Sequence, residues 1–167
     1  AWKRALASDP VSAFGGVLVT NGTVNAETAN AIREIFFEVL IAPQMTPEAI
    51  EILSKNKSRI LLIQTQPYKA ESQTRSLLHG TLIQQMDSEL LSPESAQIKT
   101  SRKPTDSEWQ DIFFAEKIAK HLKSNAIAIV KEKQLLGGGM GQTSRIDALR
   151  HAIEKARRNG FSLENAV

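Results

Sequence analysis

A chain of 167 residues with 41% hydrophobic and 23% charged residues is long enough for one ordinary domain with a real core, and its formal net charge is only +3. The absence of cysteine excludes a disulfide framework and a thiolate metal site. No apolar run approaches the roughly 20 residues of a membrane span, and no signal peptide is visible, so a cytoplasmic protein without membrane partners is expected.

The opening stretch AWKRALASDP reads as the last two turns of a helix stopped by Asp9-Pro10. Helices seldom begin a domain mid-stride, and the chain starts on Ala1, so it reads as a piece of something longer. Val17–Thr20 is a short apolar run after a glycine pair and predicts a buried strand. Asn21-Gly22 turns the chain. Asn25 caps a predicted helix through Glu34, with Ala29, Ile32, Ile35 and Phe36 on one face. A second strand is predicted over Glu38–Pro43. Thr46-Pro47 opens a helix through Lys55, and Arg59–Thr65 is a third strand. Strands and helices alternating over short links argue for a parallel sheet with helices on its faces.

Residues 66–105 are polar and rich in Ser, Gln, Thr and Pro. One strand candidate, Leu77–Gln85, breaks at His79-Gly80, and the stretch reads as a connecting segment. Order returns with a Thr105/Glu108 capping box, followed by Trp109, Ile112, Phe113, Ala119 and Leu122 at helical spacing. Asn125–Val130 is a strand, KEKQ a turn, and Leu135-Leu136 begin a strand that runs into the glycines. Ser144 and Asp147 form a second capping pair for a helix lined by Ile146, Leu149, Ala152, Ile153 and Ala156 and stopped at Asn159-Gly160. The expectation is an α/β protein of two blocks with largely parallel strands.

Three stretches offer chemistry. LLGGGMGQTSR (residues 135–145) holds four glycines in five positions before a helix start. Read as a loop, it offers unpaired N–H groups, the positive end of a helix dipole and the forked charge of Arg145, which suit a phosphate or carboxylate. Read structurally, it is a tight strand-to-helix turn with Arg145 solvated. It matches neither a Walker loop nor a dinucleotide fingerprint. In DPVSAFGG, Phe14 beside two glycines offers either a stacking wall or a core aromatic and a turn. Asn125, where a helix hands over to a strand, either reads a polar heterocycle or caps the helix. His79, His121 and His151 lack metal-ligand spacing. Basic clusters at Lys55–Arg59, Lys99–Lys103 and Lys117–Lys123 are not interleaved with aromatics, so a solvated face is expected there and no nucleic-acid partner. No complete catalytic constellation is found.

Taken together, DPVSAFGGVLVTNGTVNAETA, EVLIAP, KSNAIAIV and GGGMGQTSRIDALRHA resemble the AICAR transformylase/IMP cyclohydrolase family of purine synthesis, in order and over essentially the whole chain. The resemblance implies a fragment of the transformylase domain. Its fold would be cytidine-deaminase-like, a three-layer α/β/α arrangement with parts of two related subdomains: residues 1–68 in the first, 69–105 connecting, and 106–167 beginning the second. It implies formyl transfer from the cosubstrate 10-formyltetrahydrofolate to AICAR, with no metal required for the chemistry, in a homodimer. The family's catalytic Lys-His motif has no equivalent here, so no catalytic residue is assigned and the fragment is expected to be inactive alone. Residue by residue, Phe14 and Gly15 would contact the AICAR base, Glu38 supplies an acidic contact, Asn125 bonds near the carboxamide, Arg145 sits at the nucleotide, and Ile146 brushes the folate. Two positions depart from the family pattern: Met140 stands where alanine is usual, and His79-Gly80 replaces a glycine pair. A non-catalytic phosphate- or nucleotide-binding α/β module is the alternative, and an RNA-binding module a third.

Overall fold

The caps legible in the sequence, Asn25, Thr46, Thr105 and Ser144, start four of the helices. The computed structural model describes residues 1–66 and 70–167, which group into two units, residues 12–89 and residues 1–11 with 90–167. The expected boundary between residues 68 and 69 lies outside the described residues.

Helix α1 (Trp2–Ser8) belongs to the second of these units. In the unit of residues 12–89, β1 (Gly16–Val19), α2 (Ala26–Ile32), β2 (Phe37–Ala42), α3 (Pro47–Ser54) and β3 (Ile60–Ile63) follow in turn. Asn25 Oδ1 accepts from Thr28 N–H at 2.9 Å and Thr46 Oγ1 from Ala49 N–H at 3.3 Å, which fixes the starts of α2 and α3. Helix α2 ends at Ile32 rather than Glu34, and residues 33–34 turn the chain toward β2. The strands pair in parallel in the order β1-β2-β3, as alternation over short links predicts. Successive right-handed crossovers in one direction place α2 and α3 side by side on one face. There Val24, Ala29, Ile32, Leu40, Ala42, Ala49 and Leu53 form the buried core. The register aligns Val17, Val39 and Ile60, then Val19, Ile41 and Leu62, on the opposite face, where Val17, Val19, Ile60 and Leu62 are exposed. Among the described residues, this sheet carries one helical layer.

The connecting segment is more ordered than its polarity suggests. Instead of one broken strand over Leu77–Gln85, the chain forms an antiparallel hairpin of β4 (Ser72–Leu77) and β5 (Gly80–Gln85), turning at Leu78-His79. Its polar, weakly patterned strands satisfy their backbone in each other without burying a face, so periodicity had nothing to register.

In the second unit, α1, α4 (Asp106–His121), β6 (Ile127–Lys131), β7 (Gln134–Gly139) and α5 (Arg145–Arg158) come together. The α4 capping box is complete: Thr105 Oγ1 accepts from Glu108 N–H, and the Glu108 carboxylate accepts from Thr105 N–H at 2.8 Å. The expectation of parallel strands fails in this unit. β6 and β7 are antiparallel because Glu132 and Lys133, at φ 50° and 57°, reverse the chain in two residues, whereas a parallel pair needs a long crossover. Ile129, Leu136, Ala152 and Ala156 form the core, with Ile127, Ile153, Phe161 and Leu163 packed against it. No helix among the described residues is long and apolar enough to cross a membrane.

Candidate functional site

Three of the four clustered glycines are not loop residues. Gly137, Gly138 and Gly139 are the last residues of β7. A Cβ on Gly137 would run into the Ala152 carbonyl oxygen and stand 3.0 Å from Ala156 Cβ; one on Gly139 would run into the Ala148 carbonyl and stand 3.1 Å from Ala152 N. Residues 137 and 139 share one face of the strand, and Ala148, Ala152 and Ala156 share one stripe of α5, all fully buried. Glycine on the strand and alanine on the helix therefore bring two backbones together at a distance no side chain permits. Gly138 points the other way, toward Leu135 and Met140. The loop reading is thus corrected for these three: they fix where α5 lies, and only residues 140–144 are free to approach a ligand as a loop.

Within that loop, Gly141, at φ 67°, supplies the left-handed step. The loop is tied to the segment after α4. Gly141 N–H donates to Lys123 O at 2.7 Å, and Asn125 N–H to Gln142 O at 3.0 Å. The Asn125 side chain adds two bonds, from Nδ2 to Gln142 O and Thr143 O, each 3.1 Å. Its amide nitrogen is thereby spent on the loop, while Oδ1 keeps no partner among the described residues. The helix-cap reading of Asn125 does not hold: the α4 C-cap is Leu122. Met140 is half-exposed and its terminal carbon lies toward Gly138, so the larger residue does not crowd the loop.

The first turn of α5 is partly satisfied internally. Ser144 Oγ accepts from Ile146 N–H at 3.2 Å and from Asp147 N–H at 3.4 Å. The reciprocal half of a capping box is not made; Asp147 instead pairs with Arg150 at 3.2 Å. What remains for an anion is the Arg145 guanidinium, which is exposed and makes no hydrogen bond or ion pair among the described residues, and the Arg145 N–H. Ile146 beside it is 56% exposed, an apolar surface one residue from a fixed positive charge.

The other candidate residues gather in the unit of residues 12–89. Gly15, at φ 74°, donates its N–H to Phe36 O at 2.9 Å and closes the turn that leads into β1. The Phe14 ring is 73% exposed and lies 5.4 Å from the Phe36 ring, so the core-aromatic reading is excluded. At the same end of the sheet, Gly16 pairs with Phe37 but Val17 with Val39, which makes Glu38 the extra residue of a β-bulge. Bulges re-aim a side chain, and Glu38 stands exposed. The fold thus brings Phe14, Gly15 and Glu38 to one place, and Asn125, Arg145 and Ile146 to another.

Two charged anchors have no motif to announce them. Asp111 is 6% exposed and accepts from Glu132 N–H at 2.8 Å and Lys133 N–H at 2.6 Å, so α4 holds the β6–β7 turn. An acid between Trp109 and Ile112-Phe113, beside the apolar positions of an otherwise charged helix, was the available signal. Arg59 donates to Arg33 O at 3.1 Å and Ile35 O at 3.0 Å and lies 4.5 Å over the Phe37 ring; burial, and then Arg33, lowers its pKa. A polar cleft of about 740 Å³ beside the start of α4 contains none of the candidate residues, and Arg4, Arg102 and Lys131 on its wall are already bonded to Glu132, Glu108 and Glu164. Among the described residues no group of three or more acids or histidines is placed to hold a metal.

A family model described as the AICARFT/IMPCHase bienzyme matches residues 1–155. Proteins named bifunctional purine biosynthesis protein PurH are similar over the whole chain: 50% identical in Bacteroides thetaiotaomicron, 42% in Chlorobaculum parvum and 42% in Aquifex aeolicus. The chain spans 33% of the first of these and 32% of the other two, about a third of the length of the curated relatives it matches.

Proposed function

The chain belongs to the AICARFT/IMPCHase bienzyme family, and from that premise we propose that it is part of the AICAR formyltransferase half of a bifunctional purine-synthesis enzyme. The reaction would move a formyl group from 10-formyltetrahydrofolate to the 5-amino group of AICAR, on the way to IMP, in a cytoplasmic homodimer. In this reading the three-layer, cytidine-deaminase-like fold belongs to the longer protein. Residues 1–68 and 106–167 contribute to its two subdomains, joined by 69–105.

The observation that carries the reading is the Arg145 guanidinium, unpaired among the described residues and held at a helix start by a strand and helix that meet backbone to backbone. A group bonded neither to protein nor to a neighbouring acid is free to form a charge-assisted bidentate bond to the AICAR phosphate. Asn125 contributes Oδ1 and holds the loop beneath it. Ile146 offers the apolar contact a pteridine ring takes. Phe14 supplies a ring face, Gly15 lets the backbone approach, and Glu38 accepts from a ligand N–H. Each of these roles is binding or orientation. Lys120-His121, in AKHLK at the end of α4, lacks the residues that follow the pair in the family's catalytic Lys-His motif, so the formyl transfer itself is assigned to residues outside the chain.

Isothermal titration of AICAR into this chain and into the longer enzyme tests the reading. Binding by the longer enzyme that falls on Arg145→Ala supports it. A module that takes inorganic phosphate as readily as AICAR would support the non-catalytic alternative, which rests on the same free guanidinium.

A further inference from the structure

Phe14, Gly15 and Glu38 gather at the N-terminal end of the β1-β2-β3 sheet, and there the sheet is incomplete. β3 begins at Ile60, which pairs with Val39, so Phe37 and Glu38 run past the end of β3 without a ladder partner on that side among the described residues. On the other side the pairing with β1 is interrupted by the bulge between Gly16 and Val17. A strand end that lacks one ladder and is bulged on the other is prone to fray. Yet this end carries the contacts that hold the candidate residues. Phe36 O accepts from Gly15 N–H at 2.9 Å, and the Phe36 ring lies 5.4 Å from the Phe14 ring.

Arg59 fills the place that β3 leaves. Its backbone stands one residue before β3, fixed by a turn in which Asn56 Oδ1 accepts from Ser58 N–H at 3.0 Å and Asn56 O from Arg59 N–H at 3.2 Å. One guanidinium nitrogen, Nη2, donates to both Arg33 O and Ile35 O, and the group lies over the Phe37 ring. The chain is thus gripped on both sides of Phe36, at the carbonyl before it and at the ring after it. An ammonium would reproduce the charge but neither the planar group that lies on a ring nor its weak hydration. Arg59 Nε is buried without a partner among the described residues, which is destabilising. The guanidinium is therefore oriented by the chain around Phe36 and not by the best pairing of its own donors.

We propose that Arg59 is a positioning residue for AICAR: by holding residues 33–37 it sets the Phe14 ring, the Gly15 backbone and the aim of Glu38. The inference rests on the binding roles proposed above for those three residues. Arg59 acts through Phe36 and Phe37 and not on the ligand.

The test uses the longer enzyme. Arg59→Met keeps an unbranched stem and removes the donors, and Arg59→Lys keeps the charge and loses the fork. Arg59→Met should weaken AICAR binding by about tenfold in isothermal titration, the scale of a hydrogen bond to a charged group, and Arg59→Lys should recover part. Hydrogen exchange at residues 13–16 and 33–38 should speed up in both variants before any ligand is added. Val24→Ala, in the core beyond the opposite end of the strands, should lower stability and leave AICAR affinity as it is. A double-mutant cycle with Phe14→Ala separates positioning from plain stability. Once Phe14 is gone, Arg59→Met should cost about threefold at most, whereas a purely structural loss would be as large in both backgrounds. Unchanged affinity in Arg59→Met, with Phe14→Ala still weakening binding, would overturn the inference and leave the binding roles standing. Unchanged affinity in Phe14→Ala would remove both. Equal losses from Arg59→Met with and without Phe14, or a matching loss from Val24→Ala, would also overturn it. If Arg59→Met does not fold, Arg59→Lys in the same cycle decides.

Discussion

At Gly139 an added methyl group would have to displace helix backbone rather than a pliable side chain. Gly139→Ala should therefore destabilise the chain in urea unfolding by about 1–3 kcal/mol or more, the usual cost of overpacking, and Gly139→Val should be worse. Gly141→Ala meets nothing within 4 Å but must hold φ 67°, so its cost should stay near 1–2 kcal/mol. Arg145→Ala touches neither constraint. In the longer enzyme it should weaken AICAR binding by about 1.5–3 kcal/mol with an unchanged thermal midpoint, and Arg145→Lys should recover part. An unchanged affinity would make Arg145 a solvated turn residue. Asp111→Ala leaves the β6–β7 turn N–H groups to water and should cost about 1.5–3 kcal/mol in denaturant unfolding, with Asp111→Asn in between. The identity of these residues was plain in the sequence. Which of them was structural was not, because a glycine run looks the same whether it faces a ligand or a helix.

At the scale of elements, the start of α4 is set by titratable groups. Two hydrogen bonds from the Arg102 guanidinium, at 2.8 and 3.0 Å, and one from Thr105 N–H lower the Glu108 pKa from 4.5 to about 2. A carboxyl whose folded pKa lies below its unfolded one stabilises the fold fully above the unfolded value. That contribution is lost as pH falls from about 4.5 through 2. Amide exchange in residues 105–109 should speed up across that window, and Arg102→Ala should move its onset upward. The β6–β7 turn offers the opposite opportunity. Lys133 holds φ 57° without being glycine or asparagine, so Lys133→Gly should raise stability by about 1 kcal/mol in thermal unfolding. Caps declare themselves locally, which is why the starts of α2, α3, α4 and α5 were legible. The direction of β6 against β7 depended on the two-residue turn, whose backbone needs the Asp111 anchor from another element.

For the whole molecule, formyl transfer is the activity to look for, and the rigorously pure chain should show none. General acid–base help alone is typically worth about 10²–10⁴-fold, and the pair that supplies it is assigned to the longer enzyme. Turnover comparable with the longer enzyme would refute that. The sequence by itself determined the family, the alternation that builds the β1-β2-β3 parallel sheet, the helix caps and the residue types of both candidate clusters. Each of these is written in contiguous residues: a period, a cap spacing, a motif. Only the tertiary structure decided that the glycines are strand residues pressed on the Ala148, Ala152 and Ala156 stripe, that Glu38 occupies a bulge, and that Asn125 spends its amide on the Gln142–Thr143 loop. It also decided that the polar connection folds into a hairpin. Each of those depends on a second segment of chain: a facing helix, a neighbouring strand or a loop beyond the next hairpin. A side chain's role follows from the group it meets, and a local pattern does not contain that group.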